Sequence, residues 1–185
     1  MGKEAPREHG RRSASYRTLL ELPIILLISF ALVFGFVRPF VVEAFYIPSQ
    51  SMVPTLKVQD RVLVNKFIYR FSEPERGDIV VFRSVEGGGE DLIKRVVGVP
   101  GDEIAVRGGK LFVNGEPQRE PYVNKKFPDR STFAPTKVPE GHYFMMGDNR
   151  ANSRDSRFFG PVPKKNIEGE AFLRFWPLDR IGSLL

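Results

Sequence analysis

Ser51 is the residue in this chain best placed to do chemistry. It lies in Pro48-Ser49-Gln50-Ser51-Met52-Val53-Pro54-Thr55-Leu56, a turn bracketed by two prolines. This turn begins about ten residues after a long apolar segment ends. A serine in a sterically restricted turn beside such a segment suggests a nucleophile held at a bilayer surface. A serine hydroxyl is a weak nucleophile at neutral pH and needs a base. Imidazole is in short supply, because the chain has two histidines and His9 sits in the N-terminal tail. Only His142 is left for a Ser-His-Asp triad. The chain has no cysteine, which removes thiol catalysis, zinc thiolate sites and a disulfide framework.

A neutral lysine amine is the alternative base. Solvated lysine titrates near ~10.4, and burial lowers that value because desolvation penalises the ammonium. A lowering of two units costs about 2.7 kcal/mol, which a folded domain can supply. Lys94 stands in an apolar run, Leu92 to Val99, that reads as a strand. Period-two alternation puts Leu92, Lys94 and Val96 on one face and Ile93, Arg95 and Val97 on the other. Taken alone, a strand lysine is more often simply exposed.

Three further segments change that reading: Leu92-Ile93-Lys94-Arg95-Val96-Val97-Gly98-Val99-Pro100-Gly101-Asp102, Gly147-Asp148-Asn149-Arg150-Ala151-Asn152-Ser153-Arg154-Asp155-Ser156-Arg157, and the shorter Arg76-Gly77-Asp78-Ile79-Val80-Val81-Phe82. In order and spacing, these and the serine turn resemble the bacterial type I signal peptidases (leader peptidases). The resemblance runs from the apolar segment to about Val162. It implies a catalytic dyad of Ser51 as nucleophile and Lys94 as general base. It implies oxyanion donors from the Ser51 N–H and the Ser49 hydroxyl. Ser153 would orient the Lys94 amine, Asp155 and Arg157 would form a supporting ion pair, and Asp148 would pair with Arg95. Pocket positions for the first residue before the cut match Ile47, Met52, Leu56, Leu92 and Ile93; those for the third match Phe45, Val62 and Val81. No cofactor or metal is implied. Gln50 stands where many relatives have glycine. Without the resemblance, 147–157 is a solvated polar loop, Ser49 a turn hydroxyl, and the pocket residues ordinary core.

The elements that position these groups read as follows. Leu22 to Val37 carries no charge, and from Leu19 to Phe40 the segment counts 22 residues. At ~1.5 Å per residue it reaches roughly 33 Å, enough to cross a bilayer. Glu21 and Arg38 lie near its ends, and Pro23 is expected in its first turn. Lys3, Arg7, Arg11, Arg12 and Arg17 precede it against Glu4 and Glu8. The positive-inside rule then puts the N-terminus in the cytoplasm and the rest outside. The competing reading is a cleaved secretory signal with Val42-Glu43-Ala44 as its site, but the apolar run is long for a signal core and Arg38 interrupts it. The expected organisation is a basic tail over 1–18, a single transmembrane helix over 19–40, and an extracytoplasmic domain over 41–185.

Beyond the anchor, short β-branched runs alternate with Gly, Pro, Asn and Asp. Strands are predicted at Arg61–Phe67, Asp78–Phe82, Leu92–Val99, Glu103–Val106, Lys110–Val113, Tyr143–Met146 and Ile167–Phe175. Asn114-Gly115 predicts a type I′ turn. Residues 116–140 read as an exposed excursion. The fold class is mostly β, and the resemblance makes it an antiparallel catalytic domain with a small subdomain inserted at about 104–140. Aromatics gather at Phe67, Tyr69 and Phe71 and at Phe172, Phe175 and Trp176, as core or at a membrane interface.

The net charge of +6 is spread along the chain without a basic stripe, so nucleic acid is not an expected partner. Expected partners are signal-peptide-bearing preproteins, the lipid bilayer and the protein-export machinery, at the cytoplasmic (inner) membrane. Two other classes stay open: a self-cleaving or partner-specific Ser–Lys protease, and a membrane-tethered β-module that binds exported chains without cutting them.

Overall fold

The computed structural model describes residues 13–37 and 41–185. The chain forms two compact units, divided at Val41 and Val42. In the first, helix α1 spans Ser13–Leu32 and runs into a π-helical turn, Val33–Val37. The helix starts well before its apolar stretch, so Pro23 lies inside it and not in its first turn. Leu22, Ile24, Ile25, Leu26, Leu27, Ile28, Phe30 and Leu32 are all exposed. Among the described residues no helix is long and apolar enough to cross a membrane. The expected anchor ends at Phe40, and residues 38–40 lie outside those described, as do residues 1–12 of the expected tail.

The second unit is built on two antiparallel sheets. Its strands are β1 (Val42–Tyr46), β2 (Arg61–Asn65), β3 (Ile79–Arg83), β4 (Asp91–Gly98), β5 (Glu103–Arg107), β6 (Lys110–Val113), β7 (Glu116–Pro117), β8 (Phe133–Lys137), β9 (His142–Met146), β10 (Val162–Pro163), β11 (Ile167–Trp176) and β12 (Gly182–Ser183). A short helix, α2 (Ser156–Phe159), follows the polar loop after β9. The large sheet runs β1-β2-β11-β3-β4-β9-β10, with β12 paired to β11, and the small one runs β7-β6-β5-β8. Mostly antiparallel β structure is thus the fold, as the alternation of short apolar runs and turn residues predicts.

Local chemistry sets the strand ends. β2 stops at Asn65 because its Oδ1 accepts from the N–H of Phe67 at 3.0 Å and of Ile68 at 3.2 Å. That Asx turn diverts the chain two residues before the predicted end. Asn114 and Gly115 have φ of 54° and 83°, the left-handed geometry a type I′ turn requires. β1 was not among the predicted strands; Glu43 and Ala44 break its apolar pattern, and it exists by pairing along β2. Residues 116–140 are less exposed than expected, since β8 completes the small sheet and Asn124 and Val138 are buried.

Alternation along β3 divides the large sheet's interior in two. Ile79 and Val81 join Ile47, Met52, Leu56, Val62, Val64, Ile93 and Ala171 in one cluster. Val80 and Phe82 join Val96, Tyr143, Met145 and Val162 in another. A third cluster, including Val97, Ile104, Val113, Phe144 and Met146, ties the small sheet to the large one. β4 crosses the middle. Its residues 91–95 all pair with β3, but β9 joins its other edge only at Arg95, Val96 and Gly98. Among the described residues the outer edge of 91–94 therefore has no strand partner.

Candidate active site

Ser51 is carried by the connection between β1 and β2, which is tied at its base and at its turn. Ile47 N–H donates to the Asp60 carbonyl and Gln59 N–H to the Ile47 carbonyl, both at 2.9 Å. Leu56 N–H donates to the Met52 carbonyl at 2.9 Å. Met52 and Leu56 are fully buried in the first cluster, so the turn is nailed to the core on either side of Val53-Pro54. Ser51 itself is 7% exposed, at the rim.

Lys94 meets it there. Its Nζ lies 2.7 Å from Ser51 Oγ and donates to the Ile93 carbonyl at 3.0 Å. The side chain is 3% exposed. Burial brings its pKa from 10.5 down to about 8, against the opposing pull of the Asp155 and Asp148 carboxylates. A neutral amine is therefore within reach at mildly alkaline pH, already in contact with the hydroxyl it would deprotonate. The Ser49 hydroxyl is 3.2 Å from Ser51 Oγ.

The loop after β9 walls the site. Asp148 and Arg95 pair in a two-bond fork, Nε to Oδ1 at 2.9 Å and Nη2 to Oδ2 at 2.8 Å. Asp155 and Arg157 do the same at 2.8 and 2.9 Å, and Asp155 also accepts the Gly147 N–H at 3.1 Å. Asp155 caps α2 by accepting from the Arg157 N–H. Both carboxylates are wholly buried. Each arginine holds its acid, so neither aspartate forms an ion pair with Lys94.

Two expected placements differ. Ser153 lies beside the site, close to Gly147, but its buried Oγ has no hydrogen-bond partner among the described residues. The expected bond to Lys94 is replaced by the Ile93 carbonyl. Of the pocket positions, Ile47, Met52, Leu56, Val62, Val81 and Ile93 share one cluster, with Phe45 packed against it. Leu92 does not join them; it packs with Val80 and Phe82, because neighbours on a strand face opposite ways.

Other supporting residues went unassigned in the sequence. Thr55 Oγ1 donates to Asp148 at 2.5 Å. Asn149 donates its N–H to the Ser51 carbonyl at 2.9 Å and its Nδ2 to the Gln50 carbonyl at 3.1 Å. Both lie inside motifs already recognised, so their position was visible and their partners were not. Tyr122 lays its ring 4.0 Å from the Arg95 guanidinium, Asp129 pairs with Arg157 at 2.7 Å, and Glu120 forks Arg150. These come from the excursion, where no sequence signal marked them. A separate cavity of about 690 Å³, lined by Glu73, Arg76, Tyr143 and Lys164 among others, contains none of the residues around Ser51.

An antiparallel sheet that presents a serine hydroxyl to a buried lysine amine defines the class: an architecture suited to acyl transfer through a serine. Comparisons with known proteins narrow it. The family described as "Signal peptidase, peptidase S26" matches residues 19–176. A signal peptidase I of Leptolyngbya laminosa is 47% identical over 155 residues, 80% of this chain and 75% of that one. A probable signal peptidase I-2 of Synechocystis sp. is 42% identical over 187 residues, 98% of this chain and 81% of its own. Signal peptidase IB of Staphylococcus aureus is 36% identical over 180 residues, 88% and 92%. The crystal structure of a signal peptidase I from Enterococcus faecalis aligns at 36% identity with a TM-score of 0.46, over 54% of this chain and 97% of that one. The chain belongs to the signal peptidase family, peptidase S26, among the bacterial type I enzymes, and is a serine endopeptidase.

Proposed function

We propose that this chain is a membrane-anchored endopeptidase that removes N-terminal signal peptides from exported preproteins, with Ser51 as nucleophile and Lys94 as general base. The observation that carries the reading is the 2.7 Å contact between Ser51 Oγ and a Lys94 amine that is 3% exposed. Neutral Lys94 takes the hydroxyl proton as Ser51 Oγ bonds to the scissile carbonyl carbon. The carbonyl's π pair moves to its oxygen, where the Ser51 N–H and the Ser49 hydroxyl donate to it. The tetrahedral intermediate collapses with loss of the amine, which leaves with the proton from Lys94. Water, deprotonated by the same amine, then hydrolyses the acyl-enzyme.

The substrate would enter as an extended segment along the open edge of residues 91–94. Main-chain hydrogen bonds there fix its register. The packed apolar cluster of Ile47, Met52, Leu56, Val62, Val81 and Ile93 would face the residues beside the cut and favour small side chains there. Asp148, Arg95, Asp155 and Arg157 hold the wall in place and do not touch the reacting atoms. Ser153 stands ready beside the site as an additional hydroxyl.

The exposed apolar side chains from Leu22 to Leu32 fit a segment that inserts in a bilayer, with the basic tail in the cytoplasm and the β-domain outside. Phe71 at 78% and Trp176 at 46% exposure suit a domain that touches the membrane surface, whereas Phe172 and Phe175 are half-buried. Incubating the detergent-solubilised protein with a labelled preprotein and sequencing the new N-terminus tests the reading. One cut, after small residues, absent in Ser51→Ala, is expected. Cleavage that persists in Ser51→Ala would overturn it.

A further inference from the structure

The Ser51 N–H is useful to an oxyanion only if it points at the place where the negative charge develops. Its direction is not its own to choose. It belongs to the peptide plane between Gln50 and Ser51, which is trans. In a trans peptide the carbonyl oxygen and the N–H point in opposite directions from one rigid plane. Whatever holds the Gln50 oxygen therefore aims the Ser51 hydrogen.

Two donors hold that oxygen, the Val53 N–H at 3.1 Å and Asn149 Nδ2 at 3.1 Å. The first is local to the turn and moves with it. The second comes from the wall loop, 99 positions along the chain. Asn149 also donates its backbone N–H to the next carbonyl, that of Ser51, at 2.9 Å. One residue thus grips both consecutive carbonyls that flank the nucleophile's own N–H and Cα. Gly147 lets the loop come this close: a Cβ there would stand 2.5 Å from the Ser51 carbonyl oxygen. Among the described residues no partner occupies the Ser51 N–H.

Asn149 accepts a cost to do this. It is 3% exposed, and its buried Oδ1 has no partner among the described residues. An apolar residue of similar size would fill the same space without an unpaired buried oxygen. We infer that Asn149 is a positioning residue for the oxyanion site, turning the Gln50–Ser51 peptide plane so that the Ser51 N–H faces the reacting carbonyl. This rests on the assignment of Ser51 as nucleophile.

The test compares wild type with Asn149→Ala and with Asn149→Asp, which keeps the shape but faces the Gln50 carbonyl with oxygen only. Deleting an oxyanion donor outright costs about 10²–10³ in kcat. Misaiming one is expected to lower kcat about tenfold to a hundredfold, with the aspartate variant at least as impaired. In Asn149→Ala, which adds no charge, KM and the acid limb of the pH profile, which belongs to Lys94, should stay in place. A peptide aldehyde supplies a readout that a loosely packed wall would not move. Ser51 Oγ bonds to its carbonyl carbon, the π pair goes to oxygen, and the hydroxyl proton passes through Lys94 to that oxygen, giving a hemiacetal. Its affinity should fall by the same factor as kcat/KM.

Unchanged kcat in both variants would overturn the inference. So would a loss that appears in Asn149→Ala as a raised KM or a shifted acid limb, or an aldehyde affinity that does not change. If wild-type Ser51 forms no adduct, the nucleophile assignment fails first and takes this one with it.

Discussion

Lys66, at the end of one strand of the large sheet, and Lys94, within another, are opposites in electrostatics. Lys66, just past β2, is partly exposed and pairs with Glu43 at 2.8 Å and Glu168 at 3.7 Å. Those partners raise its pKa above 10.5. Lys94, in the middle of β4, is buried, and its pKa falls to about 8. The difference is not a lack of carboxylates near Lys94. Asp148 and Asp155 are close enough to pull its pKa upward, but each is forked by an arginine. Desolvation wins because the acids that would neutralise the ammonium are already neutralised. A lysine pKa falls here through the prior engagement of its neighbours.

The largest test of that contrast removes the proton exchange and keeps the charge. Lys94→Arg should lower kcat by roughly 10²–10⁴ or more, because guanidinium does not deprotonate in proteins. Steady-state cleavage of a preprotein peptide measures it, and an active arginine variant would end the mechanism. In wild type the same assay should show an acid limb near the value of about 8 carried by Lys94.

Next, Arg157→Gln would make Lys94 resemble Lys66. Asp155 loses its fork and turns its charge toward the amine. Breaking a buried pair by removing one partner costs about 3–5 kcal/mol of stability, seen in denaturant titrations. In the fraction that folds, the acid limb should move to higher pH, about tenfold less activity per unit at a fixed pH below it. A limb that moves to lower pH would mean that Asp155 does not act on Lys94.

The third test reads the cost of the buried amine directly. Between 10.5 and about 8 the shift amounts to about 3 kcal/mol. The folded-state pKa lies below the unfolded one, so the unfolded chain binds more protons between those values and stability rises with pH across them. Below pH about 8 the penalty is fully present. Lys94→Met should therefore be inactive yet more stable than wild type at pH 7, by up to ~3 kcal/mol. The gap should close as pH rises toward 10.5. A variant no more stable than wild type at pH 7 would contradict the buried-ammonium account.

The smallest effect belongs to Lys66→Met. The sign is reversed: a raised pKa gives stability below 10.5 that is lost as pH climbs through the higher folded value. Screened by solvent, that contribution should be about 0.2–1 kcal/mol. Thermal unfolding should barely move, and cleavage should not change.

How much of this was visible in the chain depends on the range of the interactions involved. The serine turn, the Lys94 strand and the polar wall are contiguous motifs, and they carry the resemblance to the family by themselves. Strand positions followed from alternating apolar residues, and the Asn114-Gly115 turn from the freedom of those two residues at positive φ. Ends were less legible: the Asn65 side chain stops β2 through a local bond that competes with an otherwise good strand pattern. β1 was hidden because Glu43 and Ala44 carry no β signal of their own.

The sequence by itself determined the chemistry available: two serines in a rigid turn, a lysine in an apolar strand, almost no histidine and no thiol. Only the tertiary structure decided which groups share it. It placed Lys94 Nζ against Ser51 Oγ across 43 positions of chain, and Asp148 against Arg95 across 53. It put Leu92 and Ile93 in different clusters, left the Ser153 hydroxyl without a partner among the described residues, and brought Tyr122 and Asp129 from an unmarked excursion onto Arg95 and Arg157. The physical reason is that burial and pairing are properties of neighbours. A side chain's charge state depends on what desolvates it and what competes for its partners, and neither is set within a few residues of its own position.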